Sequence, residues 1–325
     1  MTYNPLRVGA ALASIALLAA APLARAAEHV SYLFPTVVEL PAFAPWQIAK
    51  FKGYYQQEGL DVEFLVGKGG VDVAKQVGAG NADLGGGMGD TSMIVRSNDV
   101  PVKAVALLGG GGLMLLAVRQ DSSIKGPQDL KGKAISTIAY GDTTFYALLG
   151  VLASVGLTKD DVNAQALGPA GVSQMLINGN VQACACIPEW IILAQDAGVK
   201  LDIYPSNKYF PSMAQAIIAS DKTINQRPEA VRKFVRATLK ALDELRKDPE
   251  EMTKVYLQAI PSQKAKEDYL VRVFKQYAEH IYGGQPKLGV MDRAKLAKLE
   301  EFYLSQGIIH AKPPVDELFT NDFLP

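Results

Sequence analysis

Cysteine is nearly absent from this chain: Cys184 and Cys186, in the run ACACI, are the only two in 325 residues. So few exclude a disulfide framework, and two thiols alone make a poor metal site. Residues two apart on a strand point to one face, and a bridge between them would strain the backbone. Both therefore read as small buried hydrophobes. Histidine is scarce as well: His29, His280 and His310 stand far apart, so spacing offers no metal cluster and no Cys/His pair. An excess of either charge is missing, since 33 basic and 33 acidic side chains cancel. That removes the basic patch a nucleic-acid partner would need. No G-x-S-x-G elbow, P-loop Gly-Lys-Ser/Thr or low-complexity stretch occurs.

What is present begins at the N-terminus. Arg7 precedes the apolar, small-residue run VGAALASIALLAAAPLA, and Ala24-Arg25-Ala26 supplies an A-x-A cleavage pattern. This is the pattern of a secretory signal peptide over 1–26, cleaved after about Ala26. A membrane anchor fits less well, because the run holds only 17 residues and is interrupted by Pro22. The segment holds no cysteine for a lipid anchor. The expected location is the periplasm of a Gram-negative bacterium.

From residue 30 short β-type runs alternate with helical ones. VSYLF, LDVEFLV, residues 82–85, VKAVALL and LMLLAVR read as strands, with helices near 45–55, 71–77 and from Thr91. The rhythm restarts after Pro127 with KAISTIA, residues 162–167, VQACACI and MAQAIIA as strands, separated by helices. Such βαβ alternation builds mostly parallel sheets with helices on both faces. After residue 221 the pattern becomes helical, with Val231, Phe234, Val235, Leu239, Leu242 and Leu245 at three- and four-residue steps. The expected class is α/β: two doubly wound lobes, lobe 1 from 27–117 and 217–325, lobe 2 from 118–216. Two crossings, near 116–120 and 214–220, would serve as the hinge. The helical C-terminal part would pack on lobe 1.

In open α/β folds ligands bind where strand C-termini meet helix N-termini. Four such places stand out. LGGGMGDTSMIV crowds four glycines before Asp90 and Thr91, yet it lacks the third glycine of a dinucleotide fingerprint and the lysine of a phosphate loop. Gly89, Asp90 and Thr91 are candidates there for ligand contact, or Asp90 and Thr91 simply cap the helix. Gly69 and Gly70, after Lys68, form the second place, readable equally as an ordinary turn. Tyr140, Asp142, Thr143 and Thr144 open a helix with more polar groups than a cap requires. Glu189 and Trp190 follow the apolar ACACI strand, and an aromatic wall beside a carboxylate suits a small polar ligand. No catalytic residue and no cofactor is assigned.

Three stretches carry a family resemblance. APWQIAKFKGYYQQEGLDVEF, GNADLGGGMGDTSMIV and DLKGKAISTIAYGDTTFYALLGVLASVGL resemble, in this order, segments of the periplasmic solute-binding proteins for nitrate, sulfonates and taurine. That family also includes binders of thiamin-pyrimidine precursors. RPEAVRKFVRATLKALDEL is similar to the helix after its second crossing. The resemblance implies a type II periplasmic binding protein, monomeric, whose two lobes close on a solute and dock on an ABC permease with its ATPase. It also implies ligand-facing positions at Phe34, Pro35 and Thr36, and at the four places already named.

Asp142 stands where many relatives carry only Ser/Thr, and the order Pro188-Glu189-Trp190 departs from the family's acid-Pro-aromatic. A carboxylate beside a buried sulfonate opposes binding. The expected solute, within the range of sulfonates, amines or zwitterions, pyrimidines and other heterocycles, therefore carries an amine or ring N–H groups, with Tyr140 or Trp190 stacking. An enzyme like the pyrimidine synthases that share the fold, or a periplasmic sensor, are the alternatives.

Overall fold

The computed structural model describes residues 26–325. The signal-peptide reading falls, apart from Ala26, outside the described residues. The strands are β1 (Glu28–Phe34), β2 (Leu60–Val66), β3 (Leu84–Met88), β4 (Val102–Leu107), β5 (Leu115–Arg119), β6 (Ala134–Thr137), β7 (Asn163–Ala166), β8 (Ala183–Cys186), β9 (Leu201–Pro205) and β10 (Gln215–Ser220). They form two five-stranded sheets, ordered β2-β1-β3-β10-β4 and β7-β6-β8-β5-β9. In each sheet four strands run parallel and one opposes them, β10 in the first and β5 in the second. The opposing strand is, both times, the one entered after the chain has crossed from the other sheet.

Those crossings run from Leu107 to Leu115 and from Pro205 to Gln215. The expected hinge segments at 116–120 and 214–220 fall instead largely within β5 and β10. An apolar run satisfies a strand in either sheet, so hydropathy alone does not say where the chain changes sheets. The crossings touch each other, Leu113 N–H donating to Met213 O at 3.2 Å, and the second also meets the end of β3, where Gly89 N–H donates to Ala214 O at 3.0 Å.

The glycine run is a strand rather than a turn. Gly85, Gly86 and Gly87 all lie in β3, paired with β10 on one side. A Cβ on Gly85 would stand 2.4 Å from Val73 Cγ1, so its absence lets the helix carrying Val73 lie flush on the strand. Of the cysteine expectation burial holds and the unbridged state does not, because the structure joins Cys184 and Cys186 in a disulfide. Both residues are fully buried in β8 and face the same side. Their Cα atoms are 5.2 Å apart, within the span a disulfide bridges, so local contraction of the strand removes the expected obstacle.

The longer helices are α1 (Ala44–Phe51), α2 (Gly70–Gly78), α3 (Thr91–Arg96), α4 (Thr143–Ser154), α5 (Gly168–Ile177), α6 (Pro188–Asp196), α7 (Pro228–Lys247), α8 (Pro249–Ala259), α9 (Glu267–Gln276) and α10 (Arg293–Ser305). Among the described residues no helix is long and apolar enough to cross a membrane. Pro228 opens α7, where a missing N–H costs nothing, and its apolar stripe lies on the first lobe. The Phe234 ring stacks between Tyr32 of β1 at 5.1 Å and Tyr55 at 5.0 Å. Arg227, just before α7, donates to Glu28 and Asp83 at the N-terminal ends of β1 and β3.

Phe234 is fully buried with aromatic faces on both sides, and no small shift refills its volume. Phe234→Ala is expected to cost about 3–5 kcal/mol in urea unfolding. A loss below about 1 kcal/mol would show that this stack does not hold the helix.

Candidate functional site

A narrow cleft lies between the two sheets. Its first wall follows from the end of β1 and the turn into α1. Tyr32, Pro35, Thr36, Leu40, Ala42, Phe43 and Trp46 line it, with Gly86 and Gly87 of β3 and Gln215 of β10. The second wall comes from Ile138, Asp142, Thr143, Thr144, Ile187 and Trp190, and Leu113 of the first crossing lies between. Gly86 explains part of the glycine run: a Cβ there would sit 2.9 Å from the Tyr32 hydroxyl and 3.3 Å from Pro35. The bare strand thus gives the phenol room at the cleft floor.

Among the described residues no lysine, arginine or histidine lines the cleft. Its one carboxyl group, Asp142, caps α4: Oδ1 accepts from the Thr144 N–H at 2.8 Å and from the Thr144 hydroxyl at 2.5 Å. Burial raises the pKa of Asp142 against the pull of these bonds. Three polar atoms of the first wall are buried with no hydrogen-bond partner among the described residues: Gln215 Oε1, an acceptor, and two others, Tyr32 Oη and Trp46 Nε1. Both are donors, and a buried donor left unpaired is destabilising unless something else accepts from it. Gln215 is engaged on one side, its Nε2 donating to Ala42 O at 2.6 Å.

Of the positions expected from sequence, Pro35, Thr36, Asp142, Thr143, Thr144 and Trp190 lie together on this cleft. The others are placed elsewhere. Phe34 is fully buried in an aromatic cluster, 4.6 Å from Phe43 and 5.0 Å from Phe64. Gly69 and Gly70 press against the second lobe, where a Cβ on Gly69 would meet Gly141 O at 2.8 Å and one on Gly70 would meet Thr143 Cγ2 at 2.6 Å. Gly69 also has φ 97°, a left-handed conformation that favours glycine. Gly89 packs on Met213. The Thr91 hydroxyl accepts from Met88 N–H at 2.9 Å. Asp90 neither caps α3 nor lines the cleft; Oδ2 accepts from the Tyr303 hydroxyl at 2.6 Å. Tyr140 is exposed and donates its hydroxyl proton to Ala164 O. Glu189 is buried behind the wall, where its side chain accepts from Ala42 N–H at 3.1 Å and from the Tyr277 hydroxyl at 2.8 Å.

Residues 40–252 match the family model described as NMT1/THI5 like. The chain belongs to the NMT1/THI5-like family. The riboflavin-binding protein RibY of Chloroflexus aurantiacus is 28% identical over 290 residues, covering 87% of this chain and 82% of RibY. The 4-amino-5-hydroxymethyl-2-methylpyrimidine phosphate synthase THI13 of Saccharomyces cerevisiae is 25% identical over 250 residues, covering 70% of this chain and 69% of its own. The alkanesulfonate-binding protein SsuA from Xanthomonas axonopodis pv. citri, solved with MOPS bound, superposes with a TM-score of 0.71 at 18% identity, covering 91% of this chain and 98% of SsuA. The fold is that of the periplasmic binding proteins.

Sequence reasoning missed Tyr32, Trp46 and Gln215 in this NMT1/THI5-like cleft. Tyr32 and Trp46 lie in apolar stretches whose pattern reads as core. Gln215 carried a usable signal, being the one polar side chain within MAQAIIA. Among the described residues no cluster of His, Cys, Asp and Glu is able to hold a metal ion.

Asp90 supplies a test of the burial. Desolvation lifts it from 3.8 to about 6, while the Tyr303 bond pulls the other way. The native state therefore binds this proton more tightly than the unfolded chain does. Its contribution is complete below about pH 4 and is lost as pH rises through about 6. Asp90→Asn, which resembles the protonated acid, should gain on the wild type by up to about 3 kcal/mol between pH 4 and 7.5. Urea unfolding at several pH values reads this difference, and a gap that stays constant with pH refutes it.

Proposed function

We propose that the protein is the periplasmic solute-binding component of an ABC importer, not an enzyme, and that its solute is a flat, uncharged or weakly basic heteroaromatic ring. The observation that carries the ring reading is the make-up of the cleft. Tyr32, Phe43 and Trp46 line one wall and Trp190 the other, with two unpartnered donors and no cation among the lining residues. Aromatic faces bind flat rings, and Tyr32 Oη with Trp46 Nε1 suit the carbonyl or ring-nitrogen acceptors along a heterocycle's edge. A sulfonate or nitrate would lose its hydration here with no positive group to replace it. Asp142 would oppose it further.

Membership of the family and the two-lobed fold support solute capture. RibY, named for riboflavin binding, supports a ring-bearing ligand. The synthase relatives keep an enzyme as the second reading. Against it, none of His29, His280 and His310 lines the cleft. The mechanism is a population shift in which solute contacts on both walls favour the closed form, which the permease then reads. In this reading residues 1–26 direct export and are removed after about Ala26.

A thermal-shift series separates the readings, using riboflavin, lumichrome and a 4-aminopyrimidine against taurine and nitrate. At least one ring compound should stabilise the protein, by about 2.7 kcal/mol at a hundred times its Kd. Trp190→Ala should weaken that binding tenfold or more. Stabilisation by taurine or nitrate with none from the rings overturns the proposed ligand class, and turnover of a bound pyrimidine would establish the enzyme instead.

A further inference from the structure

Glu189 is the one buried carboxylate that bonds across the two walls, and the cleft as described does not use it to touch solute. It opens α6 beside Trp190, on the second wall. Its Oε1 accepts from the backbone N–H of Ala42 on the first wall at 3.1 Å, and the Ala42 carbonyl is itself held by Gln215. Its Oε2 accepts from Tyr277 Oη at 2.8 Å, and its carbonyl oxygen accepts from Tyr269 Oη at 2.9 Å. Both tyrosines belong to the C-terminal region, on α9 and on the π-helical turn Tyr277–Ile281 that follows it. The exposed pair Arg272–Asp196, bidentate at 2.7 Å, ties α9 to α6 a little further along. The C-terminal region thus straps the second wall as well as packing on the first lobe.

We propose that Glu189 is a proton-linked positioning residue: it latches Ala42 and Trp190 across the closed cleft and takes up a proton from solvent as the lobes close. This extends the solute-binding reading, but its test needs no ligand. The surroundings give the physical reason. Tyr256, Tyr269, Tyr277 and Tyr282 are the titratable groups that feel its charge, and Tyr256, whose hydroxyl donates to the Glu39 carbonyl, feels the charge of Glu39 as well. Of the two cations on α9, Arg272 is paired with Asp196 and Lys275 with Glu250, both at the surface. No cation is among the groups that act on Glu189, and burial, the leading cause, raises it from 4.5 to about 7. Opening the cleft returns the carboxyl group to water and towards its ordinary value. The closed form then holds the proton more tightly, so acid favours closure, and the advantage is lost as pH rises through about 7. A carboxyl group fully exposed in the open form would shift the closed-to-open ratio by up to roughly three hundredfold across that window.

Small-angle scattering of the purified, ligand-free protein from pH 5 to 8.5 reads the closure. The wild type should be more compact at the acid end. Glu189→Gln, which keeps the shape of the neutral acid, should hold one radius of gyration at every pH. Tyr277→Phe removes a donor that favours the charged form and should move the transition to higher pH, which covers the case where Glu189→Gln does not fold. Asp90→Asn, a change to another carboxyl group that burial raises, should leave the transition in place. A wild-type radius that does not vary with pH overturns the proposal. So does a transition that survives in Glu189→Gln, does not move in Tyr277→Phe, or is abolished by Asp90→Asn. Failure of the ring ligands in the thermal-shift series would leave these outcomes unaffected, so the two readings fail separately.

Discussion

The stacked rings of Tyr55, Phe234 and Tyr32, continued by Trp46 at 5.5 Å from Tyr32, are the contact on which most of this architecture rests. They join elements distant in the chain: the first strand, the first helices and the long helix that begins at Pro228. The last of these belongs to the part of the chain that returns from the second lobe. Without that helix the first sheet would lack a cover on one face, and an α/β sheet needs both faces covered. The same rings end at the cleft. Tyr32 and Trp46 are core residues on one side and pocket walls on the other, so the packing that stabilises the lobe also fixes the direction of the two free donors.

The charge distribution follows from similar economy. Buried carboxyl groups are costly unless hydrogen-bonded, and each one near the cleft has an internal partner. Asp90 is held by Tyr303, Asp142 by the start of its own helix, and Glu189 by Ala42 and Tyr277. Tyrosine is the recurring donor because a phenol gives one hydrogen bond without adding a countercharge. The consequence is a cleft whose walls are aromatic, with Asp142 as their one carboxyl group, while Asp90 and Glu189 stand behind it as structural ties to the C-terminal region.

Much of the fold was legible from local pattern. The alternation in LDVEFLV, the three- and four-residue spacing from Val231 to Leu245 and the polar helix start at Asp142 each correspond to an observed element. The glycine run was harder, because four glycines weaken any strand signal. Gly85 to Gly87 belong to a strand only because α2, Tyr32 and β10 pack too closely for side chains there. The candidate site divides along the same line. Asp142, Thr143, Thr144 and Trp190 were visible as polar or aromatic residues at helix starts. Glu189 was visible for the same reason, yet its partners, Ala42 and Tyr277, lie 147 and 88 residues away.

The amino-acid sequence alone determined the α/β class, the repeated strand–helix rhythm, the family, and the helix starts that surround a cleft. These depend on periodicity, capping chemistry and residue order, which act over a few turns of chain. Only the tertiary structure decided which sheet each crossing strand joins, that Cys184 and Cys186 meet, and that Tyr32 and Trp46 present unpaired donors to the cleft. It also decided that Asp90 and Glu189 face internal tyrosines. Apart from the Cys184–Cys186 pair, two residues apart and joined through local contraction of the strand, each of these is a choice between partners far apart in sequence, settled by burial and by which donor lies within reach of which acceptor.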